Sequence, residues 1–399
     1  MRIAILHNTY QQAGGEDVVA ANEEALLQKF GHEVQLHRVS NHVIQGLWRK
    51  AVTAWETPYS DRGRREAMQI IKKTRPDVVH VHNFFPLLTP AIYDACRQAG
   101  TPVVQTLHNY RTICPGALLM RDGKPCEDCI QGTPYHAVLH GCYRGSRLGS
   151  LAVARMVDAH RRWGTWTGKV DRFIALTQFA KEKFVDAGFP SQKITVKPNF
   201  VENAGSWKNE GKRNGALFVG RLSEEKGIET LLRAWKGLDV PLRIVGDGPM
   251  LDIAKENLTK PVAALLGRKK PTQVIAEMNQ AAFLVMPSEW YEGFPMTIVE
   301  AFARGLPVIA SRLGAMEEIV EDKITGLHFS PGDAKDLAEK IRWAHNHPEA
   351  MATMGLNAQR VYEEKYTADI NYHQLMAVYK EIVEENRQNK AGPRSEKQT

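Results

Sequence analysis

Apolar, β-branched runs alternate with amphipathic stretches along most of the chain, the pattern expected of parallel sheets covered by helices on both faces. Two series are legible. The first predicts strands over residues 2–7, 33–39, 77–82, 102–107, 172–176 and 193–197, with helices such as 16–30 and 90–99 between them. The second begins afresh near Ala216, with strands over 216–219, 242–245, 263–266, 283–286, 307–310 and 327–329 and a helix after each of the first five. Between the series, 203–215 is polar and rich in Gly and Asn, as an interdomain linker is. The pattern predicts two doubly wound, Rossmann-like α/β domains facing a cleft, one over 1–200 and one over 216–369. In such sheets ligands bind beyond the carboxyl ends of the strands, so the loops after strands are where chemistry is expected.

Composition changes this picture little. The 399 residues exceed what one core usually supports. With 43% hydrophobic and 24% charged residues the chain is expected to fold throughout, except for a disordered tail over about 386–399. The opening apolar run breaks at His7, too soon for a signal peptide, and no run approaches the roughly 18 apolar residues of a membrane helix, so a cytoplasmic protein is expected. The net charge of +7 is scattered, which suits an anionic ligand or a membrane surface. No nucleic-acid module accompanies it, and nucleic acid is not an expected partner.

Three loops carry candidate chemistry. After the strand ending at Met286 comes WYEGFPMTIVEAFARG, in which Pro295 suits the first turn of a helix. The helix N-terminus then falls at Gly293, Phe294, Pro295 and Met296, where unpaired amides and the helix dipole attract a phosphate. Glu292 precedes that helix and Glu300 lies within it, placed to hold hydroxyls at two points of one long ligand; the plainer alternative is a pair of solvated surface glutamates. In FVGRLSEEKGI, Gly220, Arg221 and Lys226 follow a strand end, where cations can meet a diphosphate; ordinary surface charge at a helix start is the alternative. A departing phosphate needs its charge neutralised, and with no Asp-x-Asp pair to hold a metal, Arg221 and Lys226 are the natural substitutes. Third, Gly14 and Gly15 follow the first strand and could expose backbone N–H groups to an anion, or simply form a turn. The stretch 246–249, with Asp247 and Gly248, has the same ambiguity.

His108 follows the strand ending at Leu107, where a neutral imidazole can hydrogen-bond a sugar hydroxyl; His80 and His82, alternating along one strand, are expected to be structural. Cys114, Cys126, Cys129 and Cys142 surround a C-x2-C centre, a grouping that suggests a structural zinc or a set of clustered thiols. Trp163 and Trp166 lie among Arg155, Arg161, Arg162 and Lys169, a stretch that could touch a membrane surface or form a half-buried helix.

Taken together, Gly14 and Gly15, Arg221 and Lys226, 246–249 and the E-x7-E of Glu292 and Glu300 resemble the retaining glycosyltransferases of family 4, the glycosyl transferase group 1 family with the GT-B fold. The resemblance implies that Arg221 and Lys226 bind the donor diphosphate, that Glu300 holds the ribose hydroxyls, and that Glu292 with the Gly293 and Phe294 amides holds the donor sugar and distal phosphate. It implies contact of His108 with the sugar, nucleobase contacts at Gly267 and Arg268, and a last helix, about 370–385, returning to the N-terminal domain. The implied activity is metal-independent transfer of a hexosyl group from a nucleoside-diphosphate sugar to a glycan or lipid-linked acceptor, in surface polysaccharide biosynthesis, by a protein that is cytoplasmic or peripheral to the membrane, without a catalytic cofactor. The Cys-bearing loop resembles only a subset of the family. Two alternatives stay open: a nucleotide-sugar epimerase of the same fold, and a catalytically silent sugar-nucleotide-binding protein.

Overall fold

The computed structural model describes residues 1–10, 14–202, 213–258 and 262–391. The chain divides into two compact units. One comprises Met1–Leu118, Glu127–Lys197 and the chain from Tyr372; the other comprises Leu119–Cys126 and Pro198–Asn371. Most of the segment expected as a linker, 203–212, lies outside the described residues.

The first unit holds β1 (Arg2–Thr9), β2 (Glu33–Ser40), β3 (Val78–Asn83) and β4 (Val103–Leu107). A two-stranded hairpin, β5 (Met120–Arg121) and β6 (Lys124–Pro125), falls to the second unit, and β7 (Arg172–Ala175) and β8 (Ile194–Val196) return to the first. Its parallel sheet has the order β2-β1-β3-β4-β7-β8. Every described residue of β3 and β4 is buried, as strands covered on both faces must be. The last helix, Ala368–Ala391, packs on this unit from Tyr372 onward: Tyr372 stacks on Phe30, the Tyr379 hydroxyl meets His80, and Arg172 pairs with Glu381. It continues to Ala391, past residue 386, where a disordered tail was expected; these tertiary contacts order a helix whose polar sequence alone suggests fraying.

The second unit holds β9 (Ala216–Val219), β10 (Leu242–Val245), β11 (Ala263–Gly267), β12 (Phe283–Met286), β13 (Val308–Ser311) and β14 (Gly326–Phe329), all parallel, in the order β11-β10-β9-β12-β13-β14. Alternate side chains of one strand enter different cores. Phe218, Phe283 and Val285 join one, while Leu217, Leu284 and Met286 join the other. Each such side chain contributes about 1.5–3 kcal/mol by leaving water, which is why these strands read as unbroken apolar runs.

Strand β9 has β10 on one side and β12 on the other, so the chain reverses direction across the sheet between β9 and β12. The loops after these two strands therefore diverge and leave a crevice at the sheet's carboxyl edge. Backbone bonds hold the edge together: Gly220 N–H donates to Val245 O (3.0 Å), Gly246 N–H to Gly267 O (2.9 Å) and Leu222 N–H to Asp247 O (3.0 Å). Such close approach excludes a side chain. A Cβ on Gly246, whose φ is +152°, would sit 1.8 Å from Gly220 O, and one on Gly227, at φ +68°, would sit 1.8 Å from Pro287 O.

Trp166 is buried against Phe84, Tyr93 and Phe189, so the half-buried alternative holds for it. Among the described residues no helix is long and apolar enough to cross a membrane. Gly246→Ala is expected to destabilise the protein by about 3 kcal/mol, measured by urea or thermal unfolding, because backbone must move. Gly15→Ala, where an added Cβ meets nothing within 4 Å, should shift stability by less than about 1 kcal/mol. Equal effects would refute the close-approach argument.

Candidate active site

The sequence places Lys226 at the end of a tight turn, Glu224–Lys226, that Gly227 in the left-handed conformation joins to the helix Ile228–Trp235. From there its ammonium reaches across to the loop after β12. Lys226 Nζ lies 2.7 Å from Glu292 Oε1, and the Ser288 hydroxyl donates to the same oxygen at 2.7 Å. The Lys226 ammonium also stands 5.4 Å from the centre of the Trp290 ring. Glu289 N–H donates to Glu225 O (3.0 Å), tying the two loops together. Glu292 is only 4% exposed and thus no solvated surface glutamate.

Among the described residues the exposed Arg221 guanidinium, the Glu300 carboxylate and the amides of Gly293 and Phe294 form no protein hydrogen bond. Burial raises the pKa of Glu300, which lies in the helix Met296–Phe302. Pro295 is the residue capping that helix rather than the first within it. The Gly220 amide is spent on Val245, so Gly220 contributes shape and close approach rather than a donor. Gly267 adopts φ +65° and Arg268 beside it is exposed.

In the first unit, residues 11–13 of the glycine loop lie outside the described residues. The Gly14 N–H donates to Asp17 Oδ2 (2.7 Å), so this amide already faces a carboxylate, and Gly15 begins the helix Gly15–Lys29. Asp17 Oδ1 meets His7 Nε2 at 2.7 Å. Asn109 donates to Glu16 (2.5 Å), as does the Tyr10 hydroxyl (3.1 Å).

His108 ends a buried relay. Its Nε2 lies 2.9 Å from His82 Nδ1; His82 Nε2 faces Glu23 Oε2 at 3.2 Å; Lys197 Nζ meets Glu23 Oε1 at 2.8 Å. His80 is held by the Tyr379 hydroxyl and the Thr106 hydroxyl, each at 2.7 Å. Burial alone would raise the Glu23 carboxyl, but Lys197 and the two imidazoles hold it well below the usual carboxylate range. Burial drives His80 and His108 well below theirs, so both are neutral near pH 7. His108 Nε2 is taken up by His82 Nδ1, which leaves His108 Nδ1 for a hydroxyl.

Sequence reasoning missed Glu23, Lys197 and Ser288. One signal pointed to Glu23: it sits in the middle of the stripe Val19, Ala20, Leu26 and Leu27, all buried, where an unpaired carboxylate does not survive. Lys197 and Ser288 carry no comparable mark.

Glu23, His80 and His82 have ligating atoms within 4.8 Å of one another; Lys197 takes Glu23 Oε1 and hydroxyls take both His80 nitrogens, while among the described residues Glu23 Oε2 and His82 Nε2 form no hydrogen bond. Among the described residues, no such group of three includes a cysteine sulfur. Cys126 falls to the second unit while Cys114, Cys129 and Cys142 fall to the first. The Cys129 thiol points to Pro134 O at 3.9 Å.

The relay generates two expectations. Glu23→Gln removes the buried carboxylate that Lys197 Nζ meets at 2.8 Å and should cost about 3–5 kcal/mol in denaturant unfolding. The native pKa values of His80 and His108 are depressed, and that of His160 is pushed down to about 4 by burial. The unfolded chain binds protons at these sites below about pH 6.5 while the native state does not. Stability should therefore be fully present above about pH 6.5 and fall with acidification, by up to roughly 1.4 kcal/mol per pH unit for each histidine. An unfolding midpoint that stays flat from neutral pH to about pH 5 would contradict this.

Comparison with known proteins places this geometry. Residues 13–204 match the family model described as Glycosyltransferase Family 4, and residues 200–361 match that of Glycosyl transferases group 1. The chain is 30% identical over 288 residues to an uncharacterized glycosyltransferase of Methanocaldococcus jannaschii, covering 71% of this chain and 76% of that one. It is 25% identical over 353 residues to the alpha-D-kanosaminyltransferase of Streptomyces kanamyceticus, covering 85% and 84%. The crystal structure of Anabaena HepE in complex with UDP superposes with a TM-score of 0.67 at 20% identity, covering 96% of this chain and 100% of that one. Two parallel-sheet units with this strand order, the two matched models and these relatives make the chain a member of the glycosyl transferase group 1 superfamily of GT-B glycosyltransferases.

Proposed function

We propose that this glycosyltransferase moves a hexosyl group from a nucleoside-diphosphate sugar to a glycan or lipid-linked acceptor, with retention of configuration and without a catalytic metal, in the assembly of a surface polysaccharide. One observation supports it above others. On the carboxyl edge of a sheet, beside its point of reversal, Lys226 and Ser288 hold a buried Glu292, while Arg221, Glu300 and the Gly293 and Phe294 amides keep their hydrogen-bonding capacity for something else. Two cations and two amides match a diphosphate; a carboxylate without a partner matches vicinal hydroxyls.

In this reading Arg221 and Lys226 bind the diphosphate and Glu300 the ribose. Glu292, with Gly293 and Phe294 and the turn through Pro295 and Met296, holds the sugar and distal phosphate. Gly267 and Arg268 approach the nucleobase, and His108 offers Nδ1 to a sugar hydroxyl. Gly14 and Gly15 contribute backbone to the donor. The Anabaena HepE structure, in complex with UDP, agrees with a nucleoside-diphosphate donor.

The chemistry balances without a covalent intermediate. The bond from the anomeric carbon to the phosphate oxygen breaks and its electron pair stays on the diphosphate. The acceptor hydroxyl attacks from the face that the phosphate leaves, and its proton passes to a phosphate oxygen. Lys226 and Arg221 stabilise the charge that accumulates there, the term that usually dominates such catalysis. Glu292 orients Lys226 beforehand, so little reorganisation accompanies the step.

Lys226→Ala should lower turnover by roughly 10². Arg221→Ala is the cleaner variant, because its guanidinium is exposed; it should reduce turnover while leaving thermal stability unchanged. A panel of nucleotide sugars, scored first by thermal shift, identifies the donor, since a ligand at 100 times its Kd adds about 2.7 kcal/mol. Wild-type turnover in both variants would reject the assignment.

A further inference from the structure

The helix Gly46–Glu56 buries none of its side chains. Leu47 is 87% exposed, Trp48 82% and Trp55 74%. With Ala51 they occupy about 100° of the helix circumference, at 3.6 residues per turn. The helix Arg147–Arg162 lies beside it in the same unit and presents Leu148 (80% exposed) and Leu151 on a similarly narrow arc that includes Arg155. The Arg155 guanidinium stands 5.1 Å from the Trp55 ring centre and joins the two arcs into one face. Water pays a cost at such a surface, and monomeric proteins seldom leave so many large apolar side chains together without a use.

The charge on this face has one sign. From residue 41 to 55 and from 141 to 157 the sequence contains no Asp or Glu. Lys50 flanks the first arc and Arg147 the second. The next acids along the sequence are Glu56, half-buried at the end of the first helix, and Asp158, which is engaged by Arg162 and the Tyr135 hydroxyl. We propose that this face docks the protein on the headgroup region of an anionic lipid bilayer. Trp and Leu enter the boundary between headgroups and acyl chains while the flanking cations meet anionic headgroups, the arrangement of a helix lying in the plane of an interface. A protein partner would have to present acids all around an apolar patch; a bilayer supplies both at once.

The surface differs from the Trp163 and Trp166 stretch named from sequence, since Trp166 lies in the core. The proposal stands apart from the donor reading, because binding is measured without donor or turnover. The full chain is sedimented with vesicles of phosphatidylcholine alone and of phosphatidylcholine mixed with phosphatidylglycerol. Sedimentation with the mixed vesicles only, weakening with added salt, is the expected result. Trp48→Glu should weaken it at least about tenfold, and Lys50→Ala about fivefold. Both positions are exposed, and an unchanged unfolding temperature shows that each variant folds. The proposal is overturned if the wild-type chain stays in solution with anionic vesicles, if Trp48→Glu binds as wild type does, or if Trp48→Glu abolishes a dimer seen in ultracentrifugation without vesicles, which would assign the face to a second copy of this chain.

Discussion

A lysine ammonium 2.7 Å from a carboxylate that is almost fully out of water is the contact on which the candidate site rests. Burying Glu292 alone would be costly, and removing one partner of a buried pair usually destabilises by several kcal/mol. Lys226 and Ser288 offset that cost together. The pair, with the Glu289 N–H bond to Glu225 O, thus sets the positions of two loops, after β9 and after β12, that the topology brings to the same sheet edge. Once Lys226 is fixed, a diphosphate beside it meets a cation already in place.

The first unit solves the same problem in its interior. Glu23 is ionised because Lys197 is beside it, while burial sets the state of His108, which meets His82 at 2.9 Å. A neutral His108 results, an acceptor rather than a cation, which suits contact with a hydroxyl better than contact with a phosphate. Burial, which drives His80 and His108 toward the neutral form, and Lys197, which keeps Glu23 ionised, act within one buried cluster of side chains far apart in sequence.

Much of this architecture was legible in the sequence because parallel strands buried on both faces leave unbroken apolar runs, as in 216–219 and 283–286. The loops following them were legible for a related reason: Arg221, Lys226, Glu292 and Glu300 stand where a strand has just ended. Partners were harder to see. Ser288 and Lys197 are single polar residues near strand ends, and only three-dimensional proximity reveals what they touch. The grouping of four cysteines in sequence suggested a structural zinc or clustered thiols, and spacing alone does not choose between them. The helix Gly46–Glu56 escaped a strand-and-core reading because its apolar residues serve no core.

The central claim is that Lys226, held by Glu292, and Arg221 neutralise the diphosphate without help from a metal. Calorimetric titration of a nucleoside diphosphate into the wild-type chain, once in excess chelator and once with magnesium, tests it most directly. The account predicts saturable binding of equal affinity in both. Binding that appears only with magnesium would contradict it.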